Sequence, residues 1–364
     1  MKVETLIYAY LAVCVSMILF NIVCIFIFRK KDKNIKKRSI DFTDIIEAQL
    51  DEQTVDEKHK NFLRKKLKKI NHMMAFDETL EKLYAERPDD IKRYIADISS
   101  VFVFLTFKYN EKNQIQAAYF PHIIKKYHVF KGICIPVVLD SLMGLVKEQN
   151  VYCRENALQA LYSIGDADSV IKALKTLDKA DTFHHGKMIT DGLLCFSGPV
   201  DELNRQLWEN FDAFSGALKQ AILDYFRFSS GKHFEKMLQI MTDGGENQEL
   251  RFSAIRYFAK YHYEPALAHL YSLATDDAFI WEYRAIAASA LGNYPAAQTE
   301  MLLKEFLCDP NWYVRYNAAD SLERLGVHYE EMIDIFEGRD RYAAEMLRYR
   351  FDRKKLKETE GVQV

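Results

Sequence analysis

A cationic side chain recurs through the second half of this chain at a nearly fixed stride: Arg154, Lys187, Lys219, Arg251, Arg284 and Arg315, 31–33 residues apart. Each stands inside an apolar helical pattern, as in NWYVRYNAADSLERLG (residues 311–326). Burying a guanidinium or ammonium without a partner is costly, so six such placements in register point to one repeated structural need. A period of this length marks stacked supersecondary units rather than a closed globule.

The neighbours of each cation keep the same register. Three positions on stand Ala157, Thr190, Ile222, Ala254, Ala287 and Ala318; seven positions on stand Leu161, Leu194, Phe226, Phe258, Leu291 and Leu322. Four positions before the cation, Asn150, Ser215, Asn247 and Asn311 are suitable helix N-caps. Eleven positions after it, Gly165, Gly198 and Gly326 are placed as helix C-terminal glycines. A turn and a second apolar-periodic helix follow each copy, such as DSVIKALKTLD (168–178) or EPALAHLYSLA (264–274). Two helices per period, repeated about six times, give an all-α fold class: an α-solenoid.

The helix pattern resembles that of HEAT repeats, including the short HEAT-like type of phycobilisome lyases. Asn311, Val314, Arg315, Ala318, Ser321, Leu322, Leu325 and Gly326 carry the nearest match; Arg154, Ala157, Ala160, Leu161, Ile164 and Gly165 follow. The resemblance covers about residues 150–340. Lys187 and Lys219 depart from arginine, Gly186 and Gly216 loosen two helix starts, and the third copy fits least well. The resemblance implies that the cations form a structural ladder to polar groups at the start of a neighbouring repeat, with Asp181, Asp276, Asp277 and Asp309 as candidate partners. Arginine suits that task because its fork satisfies several acceptors at once. Trp281 and Trp312, three residues before their cations, fall at a repeat core or rim position.

Upstream, residues 71–149 read as degenerate helical repeats that cap the array. KRYIADISSVFVFLTFKY (92–109) reads as a buried helix, although VFVFLTF alone also fits a strand. Residues 120–146 occupy the place of a repeat but lack the cation. Residues 341–364 read as a capping helix that frays.

The first 28 residues differ in kind. TLIYAYLAVCVSMILFNIVCIFIF (5–28) has no charged residue, and as a helix it is roughly 36 Å long, enough for a hydrocarbon core of about 30 Å. RKKDKNIKKR follows, with seven basic residues in ten. The basic side faces the cytosol, so the pattern predicts a single-pass anchor with residues 1–4 outside and the body inside, as in a bacterial cytoplasmic membrane. Arg29, Lys30, Lys31, Lys33, Lys36, Lys37 and Arg38 are candidate contacts to the membrane surface; the alternative is that they only set the orientation of the span. A second basic run, KHKNFLRKKLKK (58–69), fits a membrane-lying helix or, more often, the solvated face of a packed one. Residues 29–70 thus read as a basic juxtamembrane and linker helix region. They hold nearly all the excess positive charge, since 29–69 carry 14 Lys or Arg against 8 Asp or Glu in a chain of net charge −2.

No chemical constellation emerges. The six cysteines contain no C-x-x-C and read as reduced, mostly buried thiols of a cytosolic body. The ten histidines are scattered apart from His184–His185, which read as cap or surface residues. No His-Glu dipeptide occurs, which argues against the di-iron hydroxylases built on HEAT repeats. Phosphate-binding, dinucleotide, nucleophile-elbow and zincin motifs are absent from the sequence. TDGGEN (242–247) reads as an inter-repeat turn. The second helices mix Lys172, Lys175, Lys232, Lys236 and Lys304 with Asp201, Glu202, Glu235, Glu300, Glu305, Glu330, Glu331 and Asp334, a poor nucleic-acid surface. The sequence therefore predicts no cofactor, metal or catalytic residue. It predicts a membrane-anchored interaction scaffold, an accessory or regulatory subunit of another membrane protein; an envelope polysaccharide glycosyltransferase is one such client. The rival reading is an enzyme or cofactor-binding protein, bilin-lyase-like or other, with its site on the concave face.

Overall fold

The computed structural model describes residues 3–52, 54–180, 184–338 and 340–359, all of whose regular elements are helical, with no strand among them. Seven helices lead: α1 (Val3–Leu50), α2 (Glu57–Lys66), α3 (Ile70–Glu86), α4 (Pro88–Asp97), α5 (Ser99–Asn110), α6 (Gln114–Lys126) and α7 (Pro136–Val146). Then follow α8 (Val151–Ile164), α9 (Ala167–Asp178), α10 (Gly186–Leu194), α11 (Val200–Glu209), α12 (Gly216–Ser229) and α13 (Phe234–Thr242). They continue as α14 (Gln248–Phe258) with α15 (Leu267–Thr275), α16 (Trp281–Leu291) with α17 (Ala297–Phe306), and α18 (Trp312–Arg324) with the one-turn α19 (Ile333–Phe336). Helix α20 (Arg341–Thr359) ends the series. The fold is an α-solenoid of helix pairs. Contacts group the chain into two compact units, residues 1–183 with 195–206 and residues 184–194 with 207–364.

In unit 1, α1 changes character without a break. Its large apolar side chains from Tyr8 to Phe28 are exposed, and this segment is long and apolar enough to cross a membrane. From residue 35 onward the same helix is amphipathic, burying Ile35, Ser39, Phe42, Ile46 and Leu50 at three- and four-residue spacing. Ser39 and Thr79 hydroxyls meet at 3.0 Å, which ties α1 to α3. Residues 29–70, expected as a linker region, therefore divide. Only the stretch up to about residue 34 is bare, because the apolar stripe after it needs a partner. The expected helix 92–109 divides as well. Ile98 (φ −93°, ψ 10°) closes α4, its N–H bonded to the Tyr94 carbonyl at 3.0 Å. The break lets Ile91 and Tyr94 on α4 and Phe102 and Leu105 on α5 all reach the interior.

Within each unit, the first helix of a pair packs on the first helix of the next, and the second helix lies against that next first helix, as α13 does on α14, α15 on α16 and α17 on α18. In unit 1, α6 lies on α8, and α7 and α9 pack against α8. Helix α8 is buried nearly all round, from Cys153 and Arg154 to Ile164, as befits the middle of a stack. Helix α9 buries only one stripe, Val170, Ile171, Leu174 and Leu177, leaving Lys172 outward. Each such leucine fully buried is worth about 2 kcal/mol. Gly165 ends α8 in the left-handed region (φ +83°), where a side chain is strained. It also lies against Gly198: a Cβ on Gly165 comes within 2.9 Å of the Gly198 Cα, and one on Gly198 collides with the Gly165 carbonyl. Gly198 thus permits a close backbone approach; it is not the C-terminal glycine expected of α10, which already ends at Leu194.

In unit 2, α10, α12, α14, α16, α18 and α20 pack in sequence, each on the next. Asn247 and Asn311 accept the N–H groups of Glu249 and Tyr313, and Ser215 that of Leu218, so these helix starts are capped as the sequence implies; Asn150 caps α8 likewise. The weakest copy is the second, not the third. Its first helix α10 is 9 residues long, and Leu194 is 42% exposed where the other copies bury Leu or Phe. The thiols also differ from expectation. Cys153 is buried, whereas Cys134, Cys195 and Cys308 are exposed, all free. They sit at turns and helix ends, which the stack does not cover.

Candidate interaction surface

The structure places the six periodic cations at the starts of six successive first helices, in different surroundings. Arg154 is buried and donates from Nη1 to the carbonyls of Glu148 (2.9 Å) and Gln149 (2.8 Å) in the turn before α8. Arg251, also buried, donates from Nε to the Met241 carbonyl (3.1 Å), with its guanidinium 4.9 Å from the Tyr283 ring. Lys219 is held loosely, 3.9 Å from Asp212 and over the Phe211 ring. Lys187 is exposed and lacks a side-chain ion pair or hydrogen bond among the described residues; Asp181, proposed as a partner, lies outside them.

The last two cations reach the next repeat. Arg284 donates from Nη1 to Asp309 at 2.7 Å and from Nη2 to Asp277 at 3.3 Å. Arg315 donates from Nη1 to Asp340 at 3.0 Å and from Nε to the Asp309 carbonyl. Both inter-repeat carboxylates stand 25 residues after their arginine. Asp309 serves both neighbours, its carboxylate going to the arginine before it and its carbonyl to the one after. Burial pushes the Asp340 carboxyl up, but the Ala343 amide, the Arg315 guanidinium and the Tyr342 amide together hold it below its ordinary value.

A second set of contacts, missed in the sequence, joins the first helices further along. Two residues after the cation, Asn156 and Asn317 donate to the carbonyls of Ala118 (2.9 Å) and Ala285 (2.8 Å) on the preceding first helix. Near the helix C-termini, Ser197 donates to Ser163 O (2.6 Å), Lys260 to Arg227 O (3.1 Å), Asn293 to Phe258 O (3.2 Å) and Ser321 to Ala288 O (2.7 Å). The last carbonyls of an α-helix lack intrahelical donors. Here a side chain one repeat on satisfies them.

Residues 277–345, which run from Asp277 through α16, α17 and α18 into α20, match the family described as HEAT repeats. This segment carries HEAT repeats. Comparison with curated proteins gives no match. Among solved structures, human deoxyhypusine hydroxylase in complex with glycerol is similar at 13% identity and TM-score 0.28, covering 81% of this chain and 96% of that one. A designed armadillo repeat protein is similar at 17% identity and TM-score 0.27, covering 62% and 99%.

The HEAT repeats of unit 2 expose a row of aromatic side chains at the starts of their first helices. Trp281 is 41% exposed, Trp312 56% and Tyr342 71%, and Tyr313 and Tyr349 are exposed too. The rings pack on one another: Trp281 stacks on Tyr313 with centroids 5.7 Å apart, and Trp312 stacks on Tyr316 at 5.1 Å. Both tryptophans thus lie on the rim rather than in the repeat core. Trp208, in contrast, is stacked inward on Phe226 at 4.5 Å. Trp312, Arg315, Tyr342, Glu345, Met346 and Tyr349 line a groove of about 290 Å³. Exposed, mutually stacked Trp and Tyr beside Arg is the composition of protein-binding hot spots.

A wider groove of about 500 Å³ lies between α10 and α12, where His185, Lys187, Asp191, Asp224 and Arg227 gather. Asp224 is 3.0 Å from Arg227, and burial raises its carboxyl pKa. The two form an ion pair, and the Thr190 hydroxyl beside them donates to the Ala221 carbonyl at 2.8 Å. His185 caps α10, accepting the Lys187 N–H at 3.1 Å. Among the described residues no three metal-ligating side chains gather. In unit 1 the collar residues Arg29, Lys30, Lys31, Lys33, Lys36 and Lys37 are exposed and Arg38 is half-buried.

Proposed function

We propose that this protein is a membrane-anchored interaction scaffold, an accessory or regulatory subunit whose HEAT repeats hold another membrane protein at the cytosolic face. Residues 5–28 cross the bilayer with the N-terminus outside, and Arg29 to Arg38 lie at the inner headgroups, where each cation near an anionic surface contributes about 1 kcal/mol. Arg154, Arg251, Arg284 and Arg315 serve the stack, tying turns and successive repeats together, which leaves the aromatic row free for a partner. An envelope polysaccharide glycosyltransferase belongs to the class of clients that this placement suits. Tethering in one membrane raises the effective concentration of such a partner without new contacts.

The observation that carries this reading is the exposed row of Trp281, Tyr313 and Trp312, whose rings pack on one another, with Tyr342 beside the Arg315 guanidinium. So much aromatic surface left open by a repeat stack is what a protein partner covers. The test is capture from detergent-solubilised native membranes by the tagged full chain and by its Trp281→Ala/Trp312→Ala/Tyr342→Ala variant. Because these side chains are exposed, the variant should keep its helical circular dichroism and melting temperature. Its captured partner should fall at least about tenfold, the scale of one hot-spot residue or more. Equal capture by both chains contradicts the proposal.

A further inference from the structure

The turn joining α2 to α3 carries four lysines in five residues: Lys65, Lys66, Lys68 and Lys69. None has an ion-pair partner among the described residues, whereas Lys60 and Arg64, earlier on α2, are each 3.4 Å from Glu57. The Lys66 ammonium lies 5.6 Å from the Phe62 ring and that of Lys68 5.2 Å from the Phe104 ring. Their stems cover apolar surface and their charges stay outside.

This turn is folded against the collar end of α1. Phe42 packs edge-on against Phe62 of α2 (6.1 Å), His72 of α3 (6.3 Å) and Phe76 (5.8 Å). Arg38 stands one turn before Phe42, Lys66 one turn after Phe62, and Lys69 three residues before His72. Burial, with Arg38, Lys66 and Lys69 all bearing on it, holds the His72 imidazole below its ordinary pKa. Two basic runs far apart in sequence therefore make one cationic surface.

Its position fits a bilayer. Arg38 follows Phe28, the last residue of the apolar stretch, by about 15 Å of helical rise. A headgroup layer is roughly 5–8 Å thick, and its anionic field extends about 8 Å further at physiological salt. Helix α1 has no break between the two residues, so the turn cannot swing away on a flexible tether.

We infer that Lys65, Lys66, Lys68 and Lys69, together with Arg38, form a second contact for the phosphates of anionic lipid headgroups, which fixes the orientation of unit 1 on the membrane. This rests on the reading of residues 5–28 as the span.

The test uses the full chain in nanodiscs of phosphatidylcholine alone and with added phosphatidylserine, read by hydrogen exchange. Residues 10–28 should be protected in both. Exchange across residues 64–70 should slow about tenfold in the anionic discs. The variant Lys65→Glu/Lys66→Glu/Lys68→Glu/Lys69→Glu should abolish that difference with exchange in α5 and α6 unchanged. If the quadruple variant unfolds, Lys69→Glu alone, at an exposed position, should reduce the slowing. Protection of residues 10–28 with equal exchange at 64–70 in the two discs overturns this inference and spares the anchor. Slowing by inorganic phosphate in neutral discs overturns the lipid assignment. Free exchange of residues 10–28 in both discs overturns the anchor itself.

Discussion

In the HEAT repeats of unit 2 the same contact is made twice at the same spacing, Arg284 to Asp309 and Arg315 to Asp340. In the first helices of unit 1 each buried polar contact is made once. Asp77 on α3 accepts Tyr119 (2.6 Å), Lys126 (2.8 Å) and Tyr127 (2.7 Å) from α6 and the turn after it. His59 meets the Tyr94 hydroxyl at 2.7 Å, and Tyr109 donates to the Leu67 carbonyl at 2.9 Å. A stack of equal units can reuse one joint, because every neighbour presents the same groups. Where α1 is inserted beside α3 and α4, the geometry is met once and needs its own solution. All three tryptophans belong to unit 2, so tryptophan fluorescence follows that unit while circular dichroism follows both.

The largest effect should come from Asp77→Asn. Burial raises the Asp77 carboxyl, but Lys126, Tyr119 and Tyr127 outweigh it and hold the pKa below the ordinary value. Removing the charge weakens three charge-assisted hydrogen bonds and leaves Lys126 only the exposed Glu81 at 2.9 Å, at a cost of about 3 kcal/mol. The urea midpoint by circular dichroism should fall, and that by fluorescence should move less; equal shifts mean that the units unfold as one. Arg284→Ala should do the reverse, costing about 2 kcal/mol and shifting fluorescence, since Asp309 is 5% exposed and loses its charge partner. A double-mutant cycle with Asp309→Asn should give a coupling of about 1–2 kcal/mol.

Acid should separate the units further. His59, His72, His122 and His128 in unit 1 are all held below the ordinary imidazole value of 6.5, chiefly by burial; in unit 2 the same holds for His233. The unfolded chain takes up protons near pH 6.5 that the folded chain refuses. Stability from these groups is present above that pH and lost as pH falls below it. Between about pH 7.5 and 5.5 the dichroism midpoint should drop more than the fluorescence midpoint. The smallest effect should come from Lys187→Arg. That side chain is exposed, so the stability change should stay within about 0.5 kcal/mol; a larger gain means that the introduced guanidinium finds a rung.

How much was legible follows the same division. Periodicity revealed the helix pairs, the caps at Asn150, Ser215, Asn247 and Asn311, and the places of the cations, because stacking repeats one demand at one interval. The residues that bridge repeats are also periodic but went unread: asparagine two places after the cation at 156 and 317, and aspartate twenty-five places after it at 309 and 340. In the sequence Asp309 stands out only as a neighbour of Arg315, whereas its carboxylate serves Arg284. The Asp77 cluster left no trace, since its members are 42–50 residues apart and occur once. The exposure of Leu194 was hidden because register assigns a position, whereas burial depends on what packs over it. The continuation of α1 into the core was obscured by its basic residues, although Ile35, Phe42, Ile46 and Leu50 already carried the helical spacing.

The most direct test is fractionation of a chain lacking residues 1–31, after a high-salt wash that strips surface electrostatic contacts. The expected result is a protein in the supernatant with helical circular dichroism and a cooperative melt, while the full chain stays with the membranes. A folded, truncated chain that still pellets after the wash would contradict anchoring through α1.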